Sequence, residues 1–260
     1  MAPTGAGSAS RENQSVRKAA ALLRAAAGHG SGATVSALAR TAELPRATAL
    51  RMIESLIAER LLARLPDDRI VIGPGLHRLA RTADLSELLI HASRGVLERL
   101  SEQTSESATL TVVMPDGSLS LVRQVDGPYM LGLTNWVGRP FPLHASSSGK
   151  LFLAYADPAR VEALVGRPLE PVATRTITDP DVLRADLAQA RAAGWSQIED
   201  EIEDGLASIS MGILVDGELV GTLNISGPSA RLTPAARTAA LPLLRSACDT
   251  VAARVGAGGG

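Results

Sequence analysis

The stretch FPLHASSSGK, residues 141–150, brings together side chains that could perform chemistry. Ser147 and Lys150 have the S-x-x-K spacing in which a serine nucleophile acts beside a lysine. The adjacent Gly149 and Lys150 could also belong to a phosphate-binding loop. A third possibility is a helix start rich in small residues, whose free N–H groups and dipole favour a carboxylate. The stretch therefore allows a hydrolase, a phosphate site or an anion pocket without chemistry.

Two of these hypotheses lack the residues that they require. A phosphate-binding loop needs glycine where His144 stands and serine or threonine where Leu151 stands. The S-x-x-K enzymes also need a K-T-G strand, whereas Lys18 is the only other lysine of the chain. We therefore expect no catalytic residue and no enzyme activity, and we retain a serine/lysine hydrolase only as the alternative. The favoured prediction is a helix start that binds a small anion.

Composition limits the remaining classes of function. Cys248 is the single cysteine, and the four histidines have no spaced partners, so we expect neither a metal site nor a cofactor. The first residues, MAPTGAGSASREN, lack the features of a signal peptide, and no apolar run approaches the length of a membrane span. We expect a cytoplasmic protein that does not contact a membrane.

Charge is distributed unevenly along the 260 residues. Residues 1–82 hold 12 Lys/Arg and 6 Asp/Glu, a balance of +6, whereas residues 83–260 hold 14 and 21, a balance of −7. A basic region can bind a polyanion by releasing its counterions, and an acidic region repels one. The division predicts nucleic-acid binding by the front of the chain only.

Residues 15–58 have the pattern of a helix-turn-helix. A helix is expected from Ser15 to Gly28, a short one begins at the capping residue Thr34, and a third begins at Pro45. In the third helix Ala49, Leu50, Ile53, Leu56 and Ile57 share the apolar face. The opposite face is short-chained and cationic, which suits the major groove of DNA.

A two-stranded ribbon is predicted directly after this helix. Residues 63–73, ARLPDDRIVIG, have the pattern of a strand, an Asp-Asp turn and a second strand. A ribbon in this position is a wing, so the segment is predicted to be a winged helix-turn-helix rather than an ordinary helical hairpin. The expected DNA-binding residues are Thr34, Ser36, Arg46, Ala47, Thr48, Arg51, Ser55, Arg64 and Arg69.

The acidic region is predicted to be an α+β domain with an antiparallel sheet. Residues 108–125 alternate around Asp116-Gly117, and residues 211–228 repeat the arrangement around Asp216-Gly217, which are strong hairpin signals. Helical stretches lie between the hairpins, and a last helix follows the second one. We expect a disordered tail over 1–13, the DNA-binding domain over 14–74, a linker helix over 75–90, the second domain over 91–256 and a flexible tail over 257–260.

Five blocks in this order resemble the isocitrate lyase regulator (IclR) family of bacterial transcription factors. They are SVRKAAALL, LPRATALRMIESL, VGRPFPLHASSSGK, GWSQIEDEIEDGLASI and LVGTLNISGPSARLT, and the resemblance extends from about Ser15 to Val255. It implies a GAF-like effector domain behind the winged helix-turn-helix. It further implies a homodimer, assembled as a dimer of dimers (a homotetramer), that binds double-stranded operator DNA and responds to a small organic acid or a related metabolite.

The resemblance also implies where the effector binds. Carried over position by position, the effector-binding residues are Ser147, Ser148, Glu199, Glu201, Leu206, Ser208, Asn224 and Ser226, with Ile198 and Glu199 on a polar loop. Family members often have other residues where Ile198, Ser208, Gly212 and Asn224 stand, so no named effector is carried over. The expected function is a ligand-responsive, sequence-specific transcriptional repressor, with a hydrolase fused to a helix-turn-helix as the alternative and a protein-interaction module as a third hypothesis.

Overall fold

The computed structural model describes residues 13–82, 85–129 and 134–256. The chain divides into two compact units, Met1–Ala83 and Asp84–Gly260. The expected tails over 1–13 and 257–260 lie outside the described residues, except for Asn13, which caps the first helix. Within the described ranges, no helix combines the length and the apolar character that crossing a membrane requires.

The first unit is a winged helix-turn-helix, as predicted. Its elements are α1 Gln14–Ala27, α2 Val35–Thr41, α3 Arg46–Ala58, β1 Leu62–Arg64, β2 Ile70–Ile72 and α4 Pro74–Thr82. The side chain of Asn13 accepts hydrogen bonds from two N–H groups of α1 and caps the helix. We expected the helix to begin at Ser15, so it begins earlier than predicted. Thr34 caps α2 by accepting from the N–H of Ala37 at 3.2 Å, as predicted.

The core of this unit fixes the orientation of α3. Ala49, Ile53 and Leu56 are buried against residues of α1, α2 and the wing. Leu50 was expected in the same apolar face, but its side chain is 40% exposed. The buried positions of α3 recur every three or four residues, and Leu50 is not one of them. The apolar stripe of α3 is therefore narrower than predicted.

The second unit is an antiparallel sheet with helices on both faces. Its elements are α5 Ser86–Ser93, α6 Val96–Thr104, β3 Ser107–Val113, β4 Leu119–Val125, α7 Ser147–Tyr155, α8 Pro158–Val165, α9 Pro180–Ala193, β5 Trp195–Glu199, β6 Leu206–Val215, β7 Glu218–Pro228 and α10 Pro234–Gly256. The strand order is β4-β3-β7-β6-β5, and every pairing is antiparallel. These elements confirm the predicted α+β class.

Residues 75–90 do not form the single linker helix that we expected. They are divided between α4, in the first unit, and α5, in the second. Leu89 of α5 is fully buried in the core of the second unit. This unit therefore begins before residue 91, because burial of an apolar face assigns α5 to the sheet domain.

The two faces of the sheet differ in chemistry. Apolar residues of β3, β6 and β7, such as Leu110, Ile209 and Leu223, form one core with α5, α6 and α10. The buried alternate residues of the same strands are hydroxyl or amide residues and lie on the face where α7 packs. Because side chains alternate across a strand, the sequence pattern separates an apolar face from a polar one.

A glycine allows the central strands to approach closely. A Cβ atom added at Gly221 would lie 2.6 Å from the carbonyl oxygen of Thr111, on the neighbouring strand. We expect Gly221→Ala to lower the free energy of unfolding by about 1–3 kcal/mol, because the backbone must shift. In the matched control Gly212→Ala, the one close neighbour of the added methyl is the movable end of the Leu219 side chain, at 2.8 Å, so the loss is smaller. Chemical denaturation measures both; equal losses would contradict this account.

Candidate functional site

A cavity of about 70 Å³ lies between the start of α7 and the polar face of the sheet. This volume can hold several water molecules or part of a small organic compound. Its lining residues come from β3, β4, β5, β6, β7, α7 and two loops. They are Thr109, Thr111, Leu121, Gln124, Trp136, Phe141, Ser146, Ser147, Ser148, Ile198, Ile202, Leu206, Ser208, Asn224 and Ser226.

The first turn of α7 presents backbone donors to this cavity. Ser146 is the N-cap, and its hydroxyl accepts a hydrogen bond from the N–H of Gly149 at 3.2 Å. The N–H groups of Ser147 and Ser148 have no acceptor among the described residues. Gly149 permits this position, because a Cβ there would lie 2.4 Å from the carbonyl oxygen of Leu143. The helix start can therefore donate two hydrogen bonds to an anion.

Four serine hydroxyls form a chain at the cavity, of which those of Ser147, Ser208 and Ser226 belong to lining residues. Ser210 donates to Ser147 at 2.6 Å, the hydroxyls of Ser147 and Ser208 are 2.9 Å apart, and those of Ser208 and Ser226 are 2.7 Å apart. Each hydroxyl has one proton, so the three hydrogen bonds use three of the four protons. One proton of the chain remains to be donated elsewhere.

Asn224 holds the neighbouring part of the wall together. Its amide oxygen accepts from Ser148 and Thr222, each at 2.9 Å. Its amide nitrogen donates to the hydroxyls of Thr109 at 2.8 Å and Thr111 at 3.0 Å. The amide has two donor protons and two acceptor lone pairs, so this set satisfies it completely. Asn224 therefore orients the hydroxyls of the wall.

Part of the cavity lining is apolar, and most of this part was not predicted from the sequence. Leu121, Trp136, Phe141 and Ile202 line the cavity and were not predicted as site residues. Thr109 and Thr111 were also missed, although the alternation of β3 places them on the polar face. Trp136 and Phe141 lie in the connection between β4 and α7, where no periodicity indicates which side chains face a cavity.

Of the eight predicted effector-binding residues, Ser147, Ser148, Leu206, Ser208, Asn224 and Ser226 line the cavity. Glu199 does not, because it lies on the opposite face of β5. Its carboxylate accepts a hydrogen bond from Arg237 of α10 at 2.6 Å, and this bond lowers the pKa of Glu199. The predicted polar loop is in fact strand β5, in which Ile198 faces the cavity and Glu199 faces away.

Glu201 also lies away from the cavity lining. It forms an ion pair at 2.6 Å with the ammonium of Lys150, which is a further 2.8 Å from a carboxylate oxygen of Asp186. Lys150 is 1% exposed, so both contacts lie inside the protein. Burial raises the pKa of Glu201, and the nearby Lys150 ammonium opposes that shift. Lys150 therefore serves a buried ionic cluster and is held by two carboxylates.

The predicted DNA-binding residues of α2 and α3 lie mostly on the outside of the first unit. Thr34, Ser36, Arg46, Ala47, Arg51 and Ser55 are exposed, and Thr48 is half-buried. The guanidinium of Arg46 donates to the hydroxyl of Ser36 at 3.0 Å, which joins the two helices at this surface. These residues form one face of the helix-turn-helix.

The two arginines of the wing are engaged within the first unit. Arg64 pairs with Glu54 of α3 and lies 3.4 Å from Asp68. Arg69 pairs with Asp67 at 2.6 Å, and this hydrogen bond lowers the pKa of Asp67. If either arginine contacts a phosphate, it must therefore leave its carboxylate partner or divide its donors between the carboxylate and the phosphate.

No group of three or more histidine, cysteine or acidic side chains that could hold a metal ion occurs in the described part of the chain. His144 is buried, and its Nε2 lies 3.0 Å from the carbonyl oxygen of Glu170, so it has a structural contact. Burial raises the pKa of the Cys248 thiol to about 12, which keeps the sulfur protonated and unreactive.

Comparison with known proteins matches both units. The model of the bacterial transcriptional regulator IclR C-terminal domain matches residues 83–253, and that of the IclR helix-turn-helix domain matches residues 15–66. The chain is 30% identical over 253 residues to the glycerol operon regulatory protein of Streptomyces griseus, covering 95% of this chain and 98% of the relative. It is 29% identical over 234 residues to the transcriptional repressor AllR of Klebsiella pneumoniae, covering 87% and 84%.

The chain is also similar in three-dimensional structure to a solved protein. It is an IclR homologue from Microbacterium hydrocarbonoxydans in complex with 4-hydroxybenzoate, 25% identical to this chain. The TM-score is 0.60, and the alignment covers 94% of this chain and 100% of the homologue.

The buried ionic cluster generates a prediction about stability. Lys150→Met leaves the carboxylates of Glu201 and Asp186 without their counter-ion, and we expect a loss of about 3–5 kcal/mol in the free energy of unfolding at pH 8. A carboxyl whose pKa is raised by folding stabilises the fold most below its ordinary value of 4.5 and less as the pH rises through the folded value. Because removing Lys150 raises the pKa of Glu201 further, the loss should shrink at pH 5.5.

Denaturant titrations of parent and variant at the two pH values measure this difference. Arg184→Met is the control, because Arg184 pairs with Glu162 and Asp181 at the surface. Its effect should not change between pH 8 and pH 5.5. A loss for Lys150→Met that is equally large at both pH values would contradict the role assigned to Glu201.

Proposed function

The chain belongs to the IclR family of bacterial transcriptional regulators, and we propose that it is a ligand-responsive, sequence-specific repressor whose C-terminal unit binds a small organic acid. The family consists of regulators rather than enzymes. The observation that carries the proposal is the cavity at the start of α7, where free backbone donors meet a wall of hydroxyls.

DNA recognition is assigned to the outward face of α3. Its buried face, which includes Ala49, Ile53 and Leu56, fixes the helix in the first unit and leaves Arg46 and Arg51 exposed. The major groove of DNA is about 12 Å wide and admits a helix, and arginine pairs well with the edge of guanine. We therefore assign base contacts to α3, with Thr34 and Ser36 of α2 near the backbone of the duplex.

The wing would contribute contacts outside the groove read by α3. Arg64 and Arg69 lie on this ribbon and carry the only positive charges of residues 62–72. Each is already paired with a carboxylate, so the gain from a phosphate contact is reduced by the loss of that ion pair. We assign them an orienting role and expect less effect on affinity than from Arg51.

We further propose that the protein acts as a homodimer, which pairs as a dimer of dimers. A two-fold symmetric dimer places two copies of α3 on related half-sites, so the operator is expected to be palindromic. A ligand that binds one arrangement of the sensor units more tightly than another would change the affinity for operator DNA by the same differential free energy. Release of operator by the ligand constitutes derepression.

The contacts of two side chains argue against the serine hydrolase. Lys150, the candidate base, lies between the carboxylates of Asp186 and Glu201. The hydroxyl of Ser147, the candidate nucleophile, is hydrogen-bonded to those of Ser208 and Ser210. A nucleophile needs a base within hydrogen-bonding reach, and the neighbours of Ser147 are hydroxyls. This arrangement suits binding.

The α3 assignment predicts the effect of one substitution. Arg51→Ala should weaken binding to the specific operator by about 1–3 kcal/mol, because a bidentate contact to a base is lost. Footprinting on the upstream region of its own gene first locates the operator, and fluorescence anisotropy then gives the affinity. Arg167→Ala, an exposed arginine of the acidic unit, is the control and should bind as the parent does. Parent-like binding by Arg51→Ala would remove Arg51 from base recognition.

The sensor assignment predicts a second effect. Ser147→Ala removes a hydroxyl of the cavity wall, and we expect the ligand concentration needed to release operator to change by up to about tenfold, as for the loss of one hydrogen bond. The relative's ligand, 4-hydroxybenzoate, is the first compound to test. In parallel, parent and variant should show the same background hydrolysis of p-nitrophenyl acetate. Ester turnover by the parent that disappears in Ser147→Ala would instead support the hydrolase.

A further inference from the structure

The cavity contains no ionisable side chain among the described residues that line it. Its polar groups are serine and threonine hydroxyls and the amides of Gln124 and Asn224. Residues 130–133, which lie outside the described part, read MLGL and carry no charge in the sequence. A ligand that enters this cavity therefore meets dipoles but no full positive charge.

Two buried cations near the lining, Lys150 and Arg237, are neutralised by other partners, and Arg139, between Trp136 and Phe141, is exposed and is not among the lining residues. The Lys150 ammonium, on the same helix as Ser147 and Ser148, is balanced by Asp186 and Glu201, a cluster with one more carboxylate than ammonium. Arg237, beyond the sheet, is hydrogen-bonded to Glu199 and Gln197 of β5. Neither cation is available to compensate a second negative charge on a ligand.

The helix start offers donors for one carboxylate. They include the N–H groups of Ser147 and Ser148 and the unused proton of the four-serine chain. The start of a helix acts as roughly half a positive charge. This is enough to favour one buried carboxylate that accepts several hydrogen bonds, whereas a second carboxylate without a partner is strongly disfavoured in a largely apolar cavity.

The apolar part of the lining indicates the chemistry of the rest of the ligand. Leu121, Trp136, Phe141, Ile198 and Ile202 present apolar surface to the same cavity. We propose that the pocket selects ligands with one carboxylate on a compact apolar body and rejects the same body with a second carboxylate. This inference rests on the proposed function, because it takes the cavity as the effector site.

Matched ligands test the selection by charge. Isothermal titration calorimetry of the full chain compares benzoate with terephthalate, and pentanoate with glutarate; within each pair the dianion adds one carboxylate. p-Toluate has a methyl group where terephthalate has its second carboxylate, and so controls for size. We expect at least one monocarboxylate to bind at least thirtyfold more tightly than its dianion, and p-toluate to bind like benzoate if benzoate is that ligand.

An added charge should relax the selection. Ile202 is half-buried in the cavity wall, so Ile202→Lys supplies the missing cation near the apolar body of the ligand. We expect the preference for the monocarboxylate to fall at least tenfold in Ile202→Lys. Ile202→Met, which keeps the size without the charge, should retain the parent's preference. An unchanged preference in a folded Ile202→Lys protein would contradict the role of charge.

The outcomes separate this inference from the proposed function. If the protein binds its operator and a dianion binds as tightly as its monocarboxylate partner, the inference is wrong and the regulatory function stands. Binding of none of these compounds also overturns the inference. If monocarboxylates bind with the expected preference but neither footprint nor operator release is found, the proposed function fails while the selection by charge stands.

Discussion

The cavity depends on one constraint, which is that the buried polar groups between α7 and the sheet must be hydrogen-bonded to one another. Strands β6 and β7 pair Ser210 with Asn224 and Ser208 with Ser226, so four polar side chains meet on one face. Asn224 uses its whole amide on its neighbours, and the serine chain extends to Ser147 at the start of α7. A network in which nearly every polar group is paired is rigid, because each group is costly to leave unpaired. It therefore holds the helix start open towards the cavity.

The packing of α7 on the sheet also keeps the charge of Lys150 away from the cavity. One turn further along α7, the ammonium of Lys150 is directed to Asp186 and Glu201. In the S-x-x-K motif, the ammonium of Lys150 thus anchors the helix, and the hydroxyls of Ser147 and Ser148 remain neutral. A site with fixed donors and no positioned base can recognise a ligand without transforming it. This division is consistent with a regulator whose sensor must release its ligand unchanged.

Local signals explain which features could be predicted from the sequence. The Asp216-Gly217 turn has positive φ at both residues, as a tight hairpin requires, and the cap at Thr34 depends on residues within one turn. The direction of Glu199 depends instead on the pairing of β5 with β6, and the partner of Glu201 depends on how α7 packs. Such long-range contacts leave no periodic pattern, and for this reason both carboxylates were wrongly expected in the cavity.

Hydrogen–deuterium exchange at the start of α7 tests the central claim most directly. The amides of Ser147 and Ser148 have no acceptor among the described residues, so they should exchange readily in the free protein and become protected when a monocarboxylate such as 4-hydroxybenzoate or benzoate binds. Protection should be concentrated in residues 146–149, without comparable change in α8. Saturation with a ligand that leaves these amides unprotected would contradict the account, because the helix start would then not hold the effector.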